Sequence, residues 1–342
     1  MRSSISRSRI ALSILSILLI LLFMANMVFG AVDIPMKDII AVLSGGEGER
    51  EVWNLIILET RFPQAATALL AGASIAVAGL MLQTLFANPL AGPEVLGINS
   101  GAALGVAVVM LLSHGVFTIG DSDFVGYLAL LSGAFIGSMI IIAIILFLSS
   151  LLRNKMFLLI AGVAISYLTS SVISVLNYVA TAEGVHSYLI WGMGSFGAVS
   201  MEQLPVFASL LLLLVFCALM MMKPLNALLL GDAYASNLGI NVKITRMLLL
   251  AITGLITAVV TAFCGPVAFL GLAVPHLARL AIGRNDHRVL LPSTLLFGGC
   301  MALLCNSLTM IPGESGLLPL GAITPIAGAP VIIYVILRDR TM

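Results

Sequence analysis

The chain has 342 residues, of which 61% are hydrophobic and 9% are charged, and its mean hydropathy is +1.17. Soluble domains carry about 25% charged residues, so this composition excludes a water-soluble fold and predicts a polytopic membrane protein. The net charge of +1 gives no reason to expect a nucleic-acid partner.

Ten apolar windows of roughly membrane-spanning length follow one another along the chain. The first resembles a signal peptide in its basic start, but its apolar run is longer than a signal segment requires, so we interpret it as a retained helix. Cleavage after this window is the alternative, and it would leave the later windows unchanged. The windows lie at about 10–30, 64–86, 96–112, 124–150, 157–180, 204–222, 246–264, 267–282, 290–311 and 320–337.

The loop charges give the orientation of these windows. With the N-terminus inside, only Lys37, Arg50 and Arg61 of the 16 basic residues fall outside, whereas most acidic residues fall outside. This distribution follows the positive-inside rule. We therefore predict an all-α protein with about ten transmembrane helices and with both termini in the cytoplasm.

Formal charges lie at the ends of the windows or between them, with Glu94 on the cytoplasmic side. Proton-driven transporters generally keep titratable groups at membrane depth, so the pattern disfavours that class. Sodium coupling through the carbonyl groups of broken helices stays open. The chain has no GxxxxGK[ST] motif, so it has no nucleotide site of that kind.

Small residues recur inside the windows, where they allow helices to approach closely. The clearest runs are Ala71-Gly72-Ala73, Gly101 with Gly105, and Gly133 with Gly137. We interpret them as packing contacts of a helix bundle.

Residues 82–101 read LQTLFANPLAGPEVLGINSG and place Pro, Gly and Asn between two apolar windows. Irregular backbone near membrane depth is tolerated where it lines a cavity or is buried in protein. The stretch therefore indicates a pathway lining, and an ordinary cytoplasmic turn is the alternative.

Motifs typical of enzymes and metal sites are weak. Gly192–Gly197 matches GxGxxG but follows no strand, and Ser195 with His186 lacks the GxSxG spacing of a serine hydrolase. His276 and His287 lie among arginines at a predicted cytoplasmic helix end, which favours a docking surface over a metal site. The four cysteines lie in apolar runs and indicate core packing.

Several segments between residues 61 and 330 together resemble the FecCD-like permease subunits of type II ABC importers for iron–siderophores, haem and cobalamin. Each is weak alone, and their order along the chain makes the set specific. They are Arg61-Phe62-Pro63, Gly79–Gln83 with Asn88–Ala91 and Leu96-Gly97, Trp191–Gly197, Gly231–Gly239, Phe269–His276 with Asp286–Arg288, and Leu318–Gly321 with Gly328–Pro330.

The resemblance implies one permease domain over residues 1–342, in the inner membrane of a prokaryotic cell and not itself an enzyme. Its implied partners are two ABC-type ATPase subunits, a second permease copy or paralogue, and an extracytoplasmic substrate-binding protein. ATP and Mg²⁺ would bind to the ATPase subunits, with no cofactor on this chain. The alternative is an ion-coupled secondary transporter or channel without an ATPase partner.

The resemblance also implies roles for individual residues. The cytoplasmic gate would comprise Asn88, Pro89 and Leu90, with a second constriction at Asn154, Lys155 and Met156. ATPase coupling would fall to Gly231, Asp232, Ala233, Ala235, Leu238, Gly239, His276, Arg279, His287 and Arg288. Binding-protein docking would fall to Arg61 and Gln64, although Gln64 and Met310 stand where the family often has arginine.

Overall fold

A computed structural model describes residues 2–30, 32–112, 123–152, 154–311 and 318–339. Within these ranges the chain is helical and contains no β-strand, which confirms the all-α prediction. The helices are α1 (Arg2–Val28), α2 (Met36–Leu43), α3 (Glu51–Leu55), α4 (Phe62–Phe86), α5 (Ile98–Leu112), α6 (Asp123–Leu151), α7 (Lys155–Val179), α8 (Ala182–Gly192), α9 (Leu204–Met220), α10 (Met222–Leu228), α11 (Asp232–Asn237), α12 (Val242–Cys264), α13 (Leu270–Ile282), α14 (His287–Thr309) and α15 (Leu320–Asp339).

Six of the described helical segments are long and apolar enough to cross a membrane, or seven if α9 and α10, bent by 49°, form one span. Three shorter apolar helices, α5, α13 and α15, complete the set. Each of the ten predicted windows coincides with one of these helices, so the predicted count agrees with the structure.

The central helix of the bundle is α4, which continues a π-helical turn over Ile56–Arg61. Most of its side chains are buried, and α12, α13 and α14 pack around it. By contrast, α1, α6 and α7 each bury less than a third of their most apolar stretch. These three helices therefore present apolar surface to lipid or to other subunits.

The small-residue runs predicted to pack lie at close crossings between helices. A β-carbon built at Gly105 would lie 1.9 Å from the carbonyl oxygen of Gly133, and one at Gly137 would lie 2.1 Å from that of Gly101. Helices α5 and α6 therefore cross backbone to backbone. Gly72 in α4 meets α14 in the same way, which confirms the interpretation of these runs.

Helix α13 alone is shorter than a membrane span, and the predicted window that contains it begins in non-helical residues. Its 13 residues extend about 20 Å, against a hydrocarbon core of about 30 Å, and the preceding Phe269 adopts a left-handed conformation with φ of 66°. A β-carbon at Gly79 would lie 1.7 Å from the carbonyl oxygen of Gly271, so the helix begins beside the middle of the bundle. The non-helical residues 265–269 therefore lie at membrane depth.

Glu94 lies between α4 and α5, as its place between two windows predicts, but its side of the loop packs against a third helix. It lies in a 3₁₀ turn (Pro93–Leu96) that packs on Gly162 of α7, where a β-carbon would lie 2.5 Å from the Val95 carbonyl oxygen. Because Gly162 is seven residues inside α7, this carboxyl group lies well within the bundle. The turn that holds Glu94 between α4 and α5 therefore folds back against α7 instead of projecting from the bundle.

Candidate functional site

The segment after α4 forms a tight exposed turn. Helix α4 ends where Ala87 adopts the left-handed conformation, with φ of 46°. The Asn88 side-chain oxygen then accepts a hydrogen bond from the Leu90 amide at 2.9 Å, which is an Asx turn. Pro89 and Leu90 are exposed. The predicted gate residues therefore project from the helix end as a compact loop.

This turn is tied to α13 through a histidine. The Nε2 atom of His276 lies 2.8 Å from the Pro89 carbonyl oxygen, within hydrogen-bonding distance. Both residues line a cavity of about 320 Å³ at the predicted cytoplasmic side, together with Asn88, Arg279 and His287. The structure thus brings two predicted gate residues and three predicted coupling residues around one space.

Arg279 faces the same cavity from α13. Its guanidinium donates a hydrogen bond to the side-chain oxygen of Gln83 in the last turn of α4. The Gln83 amide in turn donates to the Leu272 carbonyl oxygen at 3.2 Å. Gln83 therefore hydrogen-bonds the end of α4 to α13 at two points.

His287 is fully buried and joins three helices. Its Nε2 atom lies 2.9 Å from the Thr84 hydroxyl in α4, and its Nδ1 atom lies 2.8 Å from the Asn226 side-chain oxygen in α10. The Asn226 amide nitrogen donates to Asp286 at 2.7 Å. The backbone N–H of Arg288 also donates to Asp286 and lowers the pKa of that carboxyl group. The Arg288 side chain itself is exposed.

The predicted coupling segment forms the short helix α11 between two glycines with positive φ, Gly231 at 97° and Gly239 at 82°. Ala235 is buried and anchors the helix, whereas Ala233 and Leu238 are exposed. Helix α11 therefore presents one face to solvent at the predicted cytoplasmic side.

Asp232, the first residue of α11, connects this segment to two spanning helices. Its carboxylate lies 2.7 Å from the Lys155 ammonium at the start of α7 and 3.7 Å from the Arg246 guanidinium in α12. Asn154 caps α7 by accepting from the Met156 amide at 2.9 Å, and both residues are exposed. The predicted second constriction is thus tied to the coupling segment through Lys155.

The predicted docking residues lie inside the fold. Arg61 is buried, and its guanidinium donates to the carbonyl oxygens of Met27, at 2.6 Å, of Val28, at 2.9 Å, and of Val32. In this conformation it has no exposed charge to offer a partner. Its position beside the end of α1 could not be read from a window boundary.

Gln64 is buried as well. Its amide nitrogen donates to the Asn306 side-chain oxygen at 3.0 Å, and the Asn306 amide nitrogen donates to the Asn26 oxygen at 2.8 Å. Gln64 therefore joins α4 to α14 and α1. Arg61 and Gln64, to which the resemblance assigns docking, are thus both buried in this conformation, and their docking role stays a prediction.

Three residues of the cytoplasmic network were not among the predicted site residues. They are Gln83, Thr84 and Asn226, which carry neutral polar groups in or beside apolar helices. A polar pair one turn before the helix-breaking Asn88-Pro89 could have identified Gln83 and Thr84, but not Asn226.

Comparison with known proteins gives a consistent set of similarities. The FecCD transport family matches residues 18–338. The hemin transport system permease protein HmuU of Yersinia pestis is 35% identical over 336 residues, covering 97% of this chain and 96% of that protein. The vitamin B12 import system permease protein BtuC of Klebsiella pneumoniae is 34% identical over 334 residues, covering 98% and 95%.

A solved structure has the same architecture. It is a metal-chelate type ABC transporter in an inward-facing conformation, with a TM-score of 0.82 and 27% sequence identity. The match covers 96% of this chain and 98% of the solved chain.

Proposed function

The chain belongs to the FecCD transport family, and on that premise we propose how its geometry serves transport. It is the transmembrane permease subunit of an ATP-driven importer for iron–siderophore, haem or cobalamin-type substrates. The relatives named above are ABC permeases for haem and vitamin B12. They support this function and not the alternative of a secondary transporter or channel.

The permease needs partners to work. We propose two ABC-type ATPase subunits on the cytoplasmic side, which bind ATP and Mg²⁺, and a substrate-binding protein on the outside. A second permease, either a copy or a paralogue, would complete the pathway in the inner membrane of a prokaryotic cell. The exposed apolar faces of α6 and α7 support association with lipid and a further subunit.

The observation that carries the mechanism is the hydrogen-bonded connection from α10 to α4 through His287. Asn226 lies in α10, four residues before Leu230 and the coupling segment, and Thr84 lies four residues before Asn88. A movement of α10 and α11 would therefore be transmitted to the end of α4. We propose that this movement opens and closes the turn at Asn88–Leu90.

The ion pairs of Asp232 give a second route for the same movement. Displacing α11 would pull on Lys155 at the start of α7 and on Arg246 in α12. In this proposal Asn154–Met156 moves together with the coupling segment. Both constrictions therefore respond to one motion of the ATPase subunits.

Replacing Gly239 with Trp tests the coupling role. Gly239 has φ of 82° and open space where a β-carbon would lie, so the indole would project from α11 toward the proposed ATPase. We expect Gly239→Trp to abolish ATPase co-purification and ATP-dependent uptake, while the amount of permease in the membrane stays normal.

Gly45 offers a matched control, since it has φ of 87°, open space around it and a predicted position outside. Gly45→Trp introduces the same backbone strain and should leave ATPase co-purification intact. Normal co-purification and uptake with Gly239→Trp would show that α11 is not part of the coupling interface.

Reconstitution tests the transport class itself. Liposomes containing the permease and its ATPase subunits should accumulate a ferric siderophore, haem or cobalamin only with ATP and the binding protein. Accumulation driven by a proton or sodium gradient in the permease alone would contradict the proposal.

A further inference from the structure

A second cavity, of about 280 Å³, lies against the middle of α7. It is lined by Glu94, Val95, Val163, Ser166, Tyr167 and Ser170. Helix α7 contains 25 residues, and Tyr167 is its midpoint. Because α7 is long enough to span the membrane, the cavity lies at the depth of the central part of the bilayer.

The carboxyl group in this cavity is held by the fold. The 3₁₀ turn Pro93–Leu96 ends at Gly97, which has φ of 77° and packs closely on Gly162 of α7. The Glu94 carboxyl group lies near its own backbone N–H and near that of Phe269, directly before α13. The positive end of the α13 dipole favours a negative charge at this position.

The cavity is lined by the Glu94 carboxyl group, by hydroxyl groups and by apolar side chains. Ser166 already donates its hydroxyl proton to the Gly162 carbonyl oxygen at 3.0 Å, so its oxygen can only accept a further bond. Glu94 contributes two carboxylate oxygens, and the described residues place no basic side chain in the lining. The cavity therefore complements a cation or a group rich in N–H and O–H donors.

An acidic side chain at this depth is costly unless it faces water or a polar ligand. Glu94 is only partly buried, and the neighbouring Tyr167 is 73% exposed. A carboxylate that faced lipid here would be strongly destabilising. Its orientation toward the open cavity thus favours an aqueous pathway on this side of α7.

We propose that this cavity is a cargo-contact site in the wall of the translocation pathway. Glu94 there favours positively charged or donor-rich parts of the passing cargo and disfavours anionic parts. The proposal rests on the proposed function, because it treats the exposed face of α7 as pathway surface. It adds a charge selectivity of the permease itself to the selection made by a binding protein.

Charged thiol reagents test the site without knowledge of the cargo. Ser170→Cys places a thiol in the cavity, in a background where Cys217, the one native cysteine that is not buried, is replaced by serine. The permease with its partner subunits is reconstituted in phosphatidylcholine liposomes. The reaction rates of the cationic ethyltrimethylammonium and anionic ethylsulfonate methanethiosulfonates are then compared, relative to free cysteine.

With Glu94 present, we expect the cation-to-anion rate ratio to exceed that of free cysteine by about three- to tenfold, as a nearby partly solvated charge predicts. Glu94→Gln should return the ratio to that of free cysteine, and Glu94→Asp should retain most of the preference. Glu202→Gln, at an exposed loop position far along the chain, should change nothing.

Two results would overturn the proposal. Absence of labelling by both reagents would mean that the cavity is closed by lipid or by another subunit. A ratio at or below that of free cysteine with Glu94 in place would mean that no negative potential acts there, whatever the variants do. Labelling and ATP-dependent uptake are measured separately. Either result can therefore occur while uptake is normal, so failure of this proposal is distinguishable from failure of the proposed function.

Discussion

Arg61 holds the end of α1 in place through a charge that never reaches the surface. Its guanidinium donates to the carbonyl oxygens of Met27 and Val28 in the last turn of that helix and to that of Val32 beyond it. Arg61→Ala would leave buried acceptors without donors, which costs about 2–4 kcal/mol of stability. We expect a clear fall in the thermal unfolding temperature of the detergent-solubilised permease.

Lys37→Ala provides the control for that measurement. Lys37 pairs with Glu49 at 3.3 Å, but its side chain is 72% exposed, and such pairs contribute little. An unfolding temperature for Arg61→Ala equal to that of Lys37→Ala would contradict the anchoring role.

His287 is the residue on which transmission from α10 to α4 depends. His287→Ala removes both hydrogen bonds, and we expect uptake to fall about tenfold, as loss of about 1.4 kcal/mol of interaction predicts. ATP hydrolysis by the assembled complex should continue, because the ATPase sites are untouched. His186→Ala, at an exposed position, should transport normally. Equal loss of hydrolysis and uptake would indicate misassembly rather than uncoupling.

The close crossing of α4 and α13 depends on Gly79. Any larger residue there would push the two helices apart. A β-carbon at Gly79 would overlap the Gly271 carbonyl oxygen. We therefore expect Gly79→Ala to destabilise the permease by about 3 kcal/mol, at the upper end of overpacking effects. Thermal unfolding in detergent measures the change.

Gly192 is the matched comparison, because it also lies in a helix but has open space around its β-carbon position. Gly192→Ala should be neutral or slightly stabilising, since alanine favours helix. A similar loss of stability in both variants would show that backbone conformation, and not the close crossing, decides the effect.

Sequence reasoning identified the spanning helices because a long apolar run in a membrane has few structures other than a helix that satisfy its backbone hydrogen bonds. It placed the Asn88–Leu90 turn and His276 on the same side, and the structure brings them into contact. It could not place Arg61 or Glu94, because the boundary of a window does not show whether a side chain turns inward. Hydropathy also could not show that α13 begins within the bundle. The non-helical residues 265–269 are as apolar as the residues of a spanning helix.

The arrangement of all helices predicts which ends lie on which side of the membrane. The cavity at Pro89, the coupling helix α11 and both chain ends should share the cytoplasmic side. A green fluorescent protein fused to either terminus should fluoresce, and alkaline phosphatase inserted at Gly45 should be active. Active phosphatase at the C-terminus would require an odd number of crossings and would overturn this arrangement.

The unequal burial of the helices separates a rigid centre from a lightly packed side. Helix α4 is enclosed by α12, α13 and α14, whereas α7 contributes few of its side chains to the core. Conformational change is easiest where few contacts must break. The side of α7 that carries the Glu94 cavity is therefore among the parts of the bundle best suited to move during a transport cycle.

The meeting of Gly105 with Gly133, and of Gly101 with Gly137, also limits how this gene can diverge. A side chain acquired at one of these positions leaves no room for its counterpart, so single changes should be eliminated by selection. Among descendants of a common ancestor, we expect the members of each pair to persist together or to be exchanged together. Such paired inheritance would reveal the α5–α6 contact from sequences alone.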